Sequence, residues 1–329
     1  MAWELPQDVK TENLLTNNKV VIPMYRMKVD NKYGFIDRIG RYIIEPQYKD
    51  AYDFSDGLAW VRTFDGKKGY INKDNKMIIE VEADFYGDFH NGLAQISKNG
   101  TDYCIDKYGE VVTLPLYNKI HGINADQTIV VEVDEKMGLI NNINEYIIRP
   151  EWDYLGTISE GLAAVRKDGK VGFINVMGTM AIEPVFHSAS PFSEGLAVAT
   201  LDGEHYGFID STGAFVIEPK YYQLKGFSEG LAGFRLKSGG KWGYLNFLGG
   251  VVIKPQFQSI EPFYGGLADV VNKDKTGFIN QKGKYVIKNV FLTAKSFRDG
   301  LAYVNYNGEW GYLDQRGRWI LKPRGFDLW

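Results

Sequence analysis

The residue types that most often carry chemistry are scattered along this chain of 329 residues. A metal site or a catalytic base needs partners at a fixed spacing, such as two histidines four residues apart, and the sequence holds no such pair. A glycosidase needs two carboxylates about 5–10 Å apart, and the candidate acids are too scattered to define a pair. The histidines considered are His90, His121, His187 and His205, and the candidate acids are Glu80, Glu82 and Glu132. The sequence predicts no catalytic residue, no metal site and no cofactor.

The glycines, the acidic turns and the single cysteine also lack a chemical motif. The 37 glycines include no Gly-x-x-x-x-Gly-Lys-Ser/Thr phosphate loop, and no 12-residue calcium-binding loop is present. Cys104 excludes an intramolecular disulfide and a thiolate zinc site. Because Cys104 occupies a repeated position otherwise filled by large apolar residues, we expect a buried, unreactive thiol.

The composition argues against nucleic acid and membrane as partners and bears on the location of the protein. The chain carries 38 Lys and Arg against 41 Asp and Glu, a net charge of −3, which predicts no binding to nucleic acid. No window approaches the roughly 20 apolar residues of a membrane span, so we expect no membrane insertion. The first residues show no signal peptide. The default expectation is a cytoplasmic protein, with secretion left open.

One short motif, Gly-aromatic-Ile-Asp/Asn, recurs nine times at intervals of 34 to 36 residues. The recurrence of such a unit predicts a repeat architecture. The first residue of each copy, the anchor position, is Gly in eight copies and Tyr in the third: Gly34, Gly69, Tyr103, Gly138, Gly172, Gly207, Gly243, Gly277 and Gly311.

The residues that follow the anchor predict two strands joined by a tight turn. Two consecutive apolar positions, such as Leu139 and Ile140, indicate a strand buried on both faces. An Asp or Asn then comes three residues before a Gly or Asn, which is typical of a capped turn. An apolar pair follows, usually closed by a proline two residues later, and marks the second strand.

A third strand, which begins with Gly-Leu-Ala in most units, precedes each anchor. Each unit is therefore predicted to be a three-stranded antiparallel meander, with room for a short fourth strand between the proline and Phe-Ser-Glu. The predicted fold class is all-β, with nine tandem repeats of about 34 residues.

These motifs carry a resemblance to a known family. The segments Trp242–Asn246 and Trp310–Asp314, together with Phe-Ser-Glu-Gly-Leu-Ala at 192–197 and 227–232, resemble the bacterial WG (KWG) repeat family. The resemblance covers about nine tenths of the chain, although most copies lack the Trp. It implies an all-β repeat protein that mediates binding, and it supplies no catalytic or ligand residues.

The repeats can close into a propeller-like ring or stack into an open β superhelix. The ring is favoured, because the tail 324–329 can supply the strand missing from the first unit and so remove an exposed sheet edge. In the superhelix, the N-terminal extension would act as a cap. The predicted organisation is an extension or cap over residues 1–23, one repeat domain over 24–323, and the tail over 324–329.

The leading functional hypothesis is a non-enzymatic scaffold that presents its loops to a protein partner, because the loops are the variable parts. A lectin-like protein is the alternative, in which exposed aromatics bind a glycan. Six aromatics follow the prolines, but their repetition favours packing: Tyr48, Trp152, Phe186, Tyr221, Tyr222 and Phe257. A glycosidase-type enzyme is the third hypothesis. The segment 119–126 breaks the repeat pattern and is the candidate binding loop, with Lys119, His121, Asn124 and Asp126 as its binding residues.

Overall fold

The polypeptide folds into nine small antiparallel sheets that follow one another along the chain. A computed structural model describes residues 23–113 and 117–322. All regular structure over these residues is β strand. We number the sheets as blades 1 to 9 in chain order.

Blades 1 to 3 contain the strands β1 (Tyr25–Val29), β2 (Lys32–Ile36), β3 (Tyr42–Tyr48), β4 (Asp50–Ala51), β5 (Leu58–Arg62), β6 (Lys68–Asn72), β7 (Met77–Glu80), β8 (Phe85–Tyr86), β9 (Leu93–Lys98) and β10 (Thr101–Asp106). Blades 4 to 6 contain β11 (Lys119–Ile123), β12 (Ile129–Val133), β13 (Lys136–Ile140), β14 (Tyr146–Trp152), β15 (Tyr154–Leu155), β16 (Leu162–Lys167), β17 (Lys170–Asn175), β18 (Met180–Phe186), β19 (Ser188–Ala189), β20 (Ala197–Thr200), β21 (Tyr206–Ile209) and β22 (Phe215–Tyr221). Blades 7 to 9 contain β23 (Gln223–Ser228), β24 (Leu231–Arg235), β25 (Trp242–Leu245), β26 (Val251–Phe257), β27 (Ser259–Ile260), β28 (Leu267–Asn272), β29 (Lys275–Asn280), β30 (Tyr285–Phe291), β31 (Thr293–Ala294), β32 (Leu301–Tyr306), β33 (Glu309–Asp314) and β34 (Trp319–Leu321).

Seven of the nine blades have four strands in sequential order within the described residues. The predicted meander is confirmed, and the short fourth strand that the sequence allowed is present as the first strand of these blades. Blade 1 consists of β1–β3, which correspond to the second, third and fourth strands elsewhere. Blade 3 has β8–β10 and, in place of a described fourth strand, a single bridge between Ile105 and Val111.

The third strand of each blade is buried on both faces, as its paired apolar positions predict. In blade 4, Leu139 and Ile140 are 1% and 0% exposed. The anchor position before them is glycine for a steric reason. A bulge in the fourth strand lies over Gly138, so that an added Cβ would stand 2.7 Å from the carbonyl oxygen of Ile148 and 2.8 Å from the nitrogen of Pro150. Only glycine fits under this bulge.

The repeated proline lies inside the fourth strand and not at its end. β14 continues for two residues beyond Pro150, so the prediction that the proline closes the strand is wrong. The fourth strand is the edge of the blade. An edge position has no further strand to accept the hydrogen bond that proline cannot donate.

An aromatic pair joins neighbouring blades at the position after the anchor. The ring of the third strand contacts the Phe that stands three residues before the Gly of Gly-Leu-Ala in the next blade, with ring centroids 4.7–5.0 Å apart. This Phe begins Phe-Ser-Glu in blades 6 and 7. Such pairs contribute about 0.5–1.5 kcal/mol beyond their buried area. The six pairs are Phe35–Phe54, Tyr70–Phe89, Phe173–Phe192, Phe208–Phe227, Tyr244–Phe263 and Phe278–Phe297.

The Ser and Glu of the same motif bind the following blade through hydrogen bonds. The Ser193 hydroxyl donates to the carbonyl of Phe227 at 2.7 Å. The Glu194 carboxylate accepts from the backbone amides of Glu229 and Gly230 at 2.7 and 2.9 Å. Equivalent carboxylate contacts are made by Glu160 and Glu229, so the signature Phe-Ser-Glu-Gly is a connector between blades.

Blade 9 packs against blade 1 and closes the ring. The Tyr25 hydroxyl donates to the carbonyl of Asp299, and the Tyr312 hydroxyl donates to that of Arg26, each at 2.8 Å. Tyr25 and Tyr312 also share one buried cluster. The molecule is therefore a propeller and not an open superhelix. Residues 1–22 and 323–329, which include nearly all of the predicted cap and the whole predicted closing strand, lie outside the described residues.

No helix in the described ranges is long and apolar enough to cross a membrane. Cys104 is fully buried, and burial raises the pKa of its thiol to about 12. The expectation of an unreactive thiol agrees with this environment, because the thiolate is the reactive form.

Candidate functional site

One end of the ring collects two kinds of turn. In an antiparallel four-stranded blade, the turn between the first and second strands and the turn between the third and fourth strands lie at the same end. Contacts between blades confirm this placement. Gln281 of blade 8 donates to the carbonyl of Glu229 in blade 7 at 3.2 Å, and Gln315 of blade 9 donates to that of Gly265 in blade 8 at 3.1 Å. We call this end the turn face.

The turns between the third and fourth strands are held rigidly. In blade 5, the Asn175 side-chain oxygen accepts from the amides of Met177 and Thr179 at 3.0 Å each, which confirms the predicted cap. Gly178 has a φ of +77°, and a Cβ there would stand 3.0 Å from the side chain of Ile148 in blade 4. The turn is therefore fixed both by its own cap and by the preceding blade.

The residue two positions after the capping Asp or Asn forms the tip of each turn and points into solvent. Five tips are large and apolar. Ile39 (65% exposed) lies in blade 1. The other four lie in blades 3, 4, 5 and 7, and we call them the apolar arc: Tyr108 (84% exposed), Ile143 (67%), Met177 (74%) and Leu248 (91%). The equivalent residues in blades 2 and 6 are Asp74 and Thr212, so the fold does not require an apolar tip. The tips of blades 3, 4 and 5 belong to consecutive blades, and neighbouring exposed apolar residues are typical of a binding surface.

The structure brings together two of the four residues predicted in the candidate loop. Lys119 and His121 lie on β11, the first strand of blade 4. The Lys119 ammonium is 3.8 Å from one carboxylate oxygen of Glu132, and the His121 Nε2 is 2.6 Å from the other. Glu132, which the sequence could not pair with another acid, is thus the partner of the Lys119 ammonium and the His121 imidazole.

The other two predicted residues, Asn124 and Asp126, make hydrogen bonds within the fold. Asn124 is only 4% exposed, and its side-chain oxygen accepts from the amide of Ile158 in blade 5 at 2.8 Å. The Asp126 carboxylate accepts from the hydroxyl of Thr128 at 2.7 Å. Asn124 therefore connects two blades, as the motif serine does elsewhere. A binding role for the segment 119–126 stays a prediction.

Two cavities flank the first strand of blade 9. The larger one, of about 980 Å³, lies where blades 9, 1 and 2 meet, and Tyr25, Arg26 and Lys295 are among its lining residues. The smaller one, of about 420 Å³, lies between blades 8 and 9 and contains Asp269. Burial raises the pKa of Asp269, while the Ser296 hydroxyl donates to its carboxylate at 2.6 Å.

The remaining residues singled out in the sequence take structural positions. Among the aromatics that follow the prolines, Tyr222 is exposed, Trp152 is half-buried and the other four are buried, so the packing interpretation holds for most of them. Glu80 and Glu132 belong to different blades. His205 lies in a hairpin, where its hydrogen bond to Asp202 raises the pKa of its imidazole. No group of three or more His, Cys, Asp or Glu able to hold a metal is present in the described part of the chain.

Sequence reasoning did not identify the apolar arc. The signal was present in the sequence, because the tip residue always stands two positions after the capping Asp or Asn. An apolar residue at that position in several copies marks a surface cluster once the turns are known to share one end of a ring.

The fold and the surface together define a class of protein. The chain is a nine-bladed β-propeller whose turn face carries several exposed apolar turn tips. The family of the WG containing repeat matches residues 33–67, 69–101, 137–170, 172–204, 206–242, 242–275 and 277–310. The chain belongs to this WG-repeat family. The unmatched stretch after residue 101 includes most of β10 and the first two strands of blade 4.

One solved structure shows the same fold, and two others are reported with it. A crystal structure of the eukaryotic initiation factor is 9% identical to this chain, covers 92% of it and 96% of its own length, and superposes with a TM-score of 0.67. The dihydro-heme d1 dehydrogenase NirN is 12% identical, with 83% and 76% covered and a TM-score of 0.48. BamB from Moraxella catarrhalis is 11% identical, with 78% and 93% covered and a TM-score of 0.45. No curated protein matches the chain.

Proposed function

We propose that this propeller is a non-enzymatic scaffold that binds a protein partner through its turn face. The observation that carries the proposal is the apolar arc, whose tips in three consecutive blades, Tyr108, Ile143 and Met177, are 67–84% exposed. Exposed side chains of this size lose unfavourable contact with water when a partner covers them. Tyr and Met are also among the residue types enriched at protein interfaces.

The rigidity of the turns supports the same function. The tip of blade 5 is fixed by the Asn175 cap and by the packing of Gly178 on blade 4. A side chain held on a rigid support loses little conformational entropy when it binds, so more of its contact energy contributes to affinity. The surface is therefore preorganised for a partner.

Photocrosslinking tests this proposal. A photoreactive amino acid replaces Ile143, and in a matched control it replaces Lys237, which is exposed in a hairpin at the opposite end of the ring. We expect a discrete crosslinked protein from position 143 and none from position 237. The substitutions Tyr108→Ser and Met177→Ser should abolish that product while the melting temperature stays unchanged. Equal crosslinking from both positions, or none from either, contradicts the proposal.

A further inference from the structure

Charge divides the turns between the third and fourth strands into two sectors. The five-residue turns of blades 8, 9, 1 and 2 (residues 280–284, 314–318, 37–41 and 72–76) carry eight cations and three carboxylates, a net charge of +5. We call these four turns the basic arc. Their cations are Lys282, Lys284, Arg316, Arg318, Arg38, Arg41, Lys73 and Lys76.

The other five turns have the opposite balance. The turns 106–110, 141–145, 175–179, 210–214 and 246–250 carry one cation and four carboxylates, a net charge of −3. These turns also carry the four tips of the apolar arc, while the basic arc has one apolar tip, Ile39. The net charge of the whole chain, −3, conceals this division because the positive sector is balanced elsewhere.

The cations of the basic arc remain accessible. All of them except the half-buried Lys73 are exposed. Arg41 and Arg318 form ion pairs with Asp37 and Asp314 at 2.7 and 2.6 Å, yet their side chains are 74% and 70% exposed. A guanidinium has five N–H donors, so such a pair leaves donors for a further anion.

We propose that the turn face binds a protein segment in which acidic residues adjoin large apolar residues. The acidic residues lie on the basic arc, and the apolar residues lie on the apolar arc. This inference rests on the proposed function and names the chemistry of the partner. Opposite charges steer the encounter and fix the orientation of the segment, while burial of the apolar tips supplies affinity. A nucleic acid fits less well, because its phosphates would extend from the basic arc over turns of net negative charge.

Peptide selection tests the inference on the full chain. The immobilised protein is panned against displayed random 12-residue peptides, and the most enriched peptide is synthesised with a fluorescent label. We expect enriched peptides to combine Asp or Glu with Leu, Phe or Trp. Fluorescence anisotropy should show affinity that falls steeply between about 50 and 300 mM salt, because exposed charges are screened over this range.

Three sets of variants separate the contributions. Lys76→Glu, Lys282→Glu and Arg316→Glu, combined, should weaken the labelled peptide about tenfold or more. Ile143→Ser with Met177→Ser should do the same, as expected for the loss of interface anchors. The control, Lys237→Glu with Lys241→Glu at the opposite end, reverses charges in an exposed hairpin and should change affinity less than about twofold. Circular dichroism confirms that each variant is folded.

The outcomes distinguish this inference from the proposed function. If binding depends on Ile143 and Met177 but not on the basic arc, the charge complementarity is wrong and the scaffold function stands. If no peptide depends on either arc, both fail. Tighter binding of a 20-nucleotide single-stranded DNA, or of phosphatidylserine vesicles, than of the best peptide would also overturn the inference.

Discussion

Replacing the anchor glycine of blade 4 by alanine is expected to destabilise the protein by about 2 kcal/mol. The added methyl carbon would stand 2.7, 2.8 and 3.1 Å from three backbone atoms of the fourth strand, belonging to Ile148, Pro150 and Arg149. Backbone cannot swing aside as a flexible side chain can, so the upper part of the roughly 1–3 kcal/mol range for overpacking applies. The reduced entropy of the unfolded chain offsets about 0.4–1 kcal/mol of this.

Urea unfolding followed by tryptophan fluorescence measures the change, and the melting temperature of Gly138→Ala should fall by about 3 °C. Gly226→Ala is the matched control. Gly226 also lies in a strand at ordinary φ, but a Cβ there would have only the Cβ of Ser193 within 4 Å, at 3.8 Å. This variant should be neutral or slightly stabilised. If both variants have the stability of the parent protein, the bulge does not explain the anchor glycine.

Three further predictions concern the junctions between blades. Glu194→Ala removes the carboxylate that accepts two amides of the next blade, and should lower the free energy of unfolding by about 1–2 kcal/mol; an unchanged urea midpoint would show that water replaces the carboxylate at no cost. Burial raises the pKa of Tyr25 to about 12 from its ordinary value near 10, so its stabilising contribution is full below pH 10 and is lost as pH rises to 12. The melting temperature should fall less steeply between pH 10 and pH 12 for Tyr25→Phe than for the parent protein. Identical slopes would refute the stabilising role of the protonated Tyr25 hydroxyl. Deletion of 324–329, the predicted closing strand, should lower the melting temperature by several degrees in calorimetry. An unchanged melting temperature would contradict the prediction that this segment closes the ring.

Much of the blade could be predicted from the columns of the repeat. The buried third strand, the capped turn and the number of units follow from the residues alone, because alternation and turn chemistry are local properties. The reason for the anchor glycine is not local. It depends on a bulge that brings the fourth strand over Gly138. Tyr103, the one anchor that is not glycine, agrees with this explanation. It lies in blade 3, which has a single bridge, Ile105–Val111, in place of a described fourth strand.

The candidate site was harder to predict for the same reason. A break in the repeat drew attention to the segment 119–126, yet a break shows only that local packing differs. Asn124 is buried because a neighbouring blade offers it an amide, and no single sequence displays that partner. The turn tips conform to the repeat, and their importance becomes visible only when the ring places blades 3, 4 and 5 side by side.

The contact between blade 9 and blade 1 changes how the protein resists unfolding. A row of nine blades would have eight junctions, and each end blade would be held on one side only, where repeat proteins fray first. The contacts of Tyr25 with Asp299 and of Tyr312 with Arg26 supply a ninth junction. Every blade then has two neighbours, and removing any one of them breaks two junctions at once. The ring therefore has no weak terminal unit, and its first and last blades should exchange their amide hydrogens as slowly as the central ones.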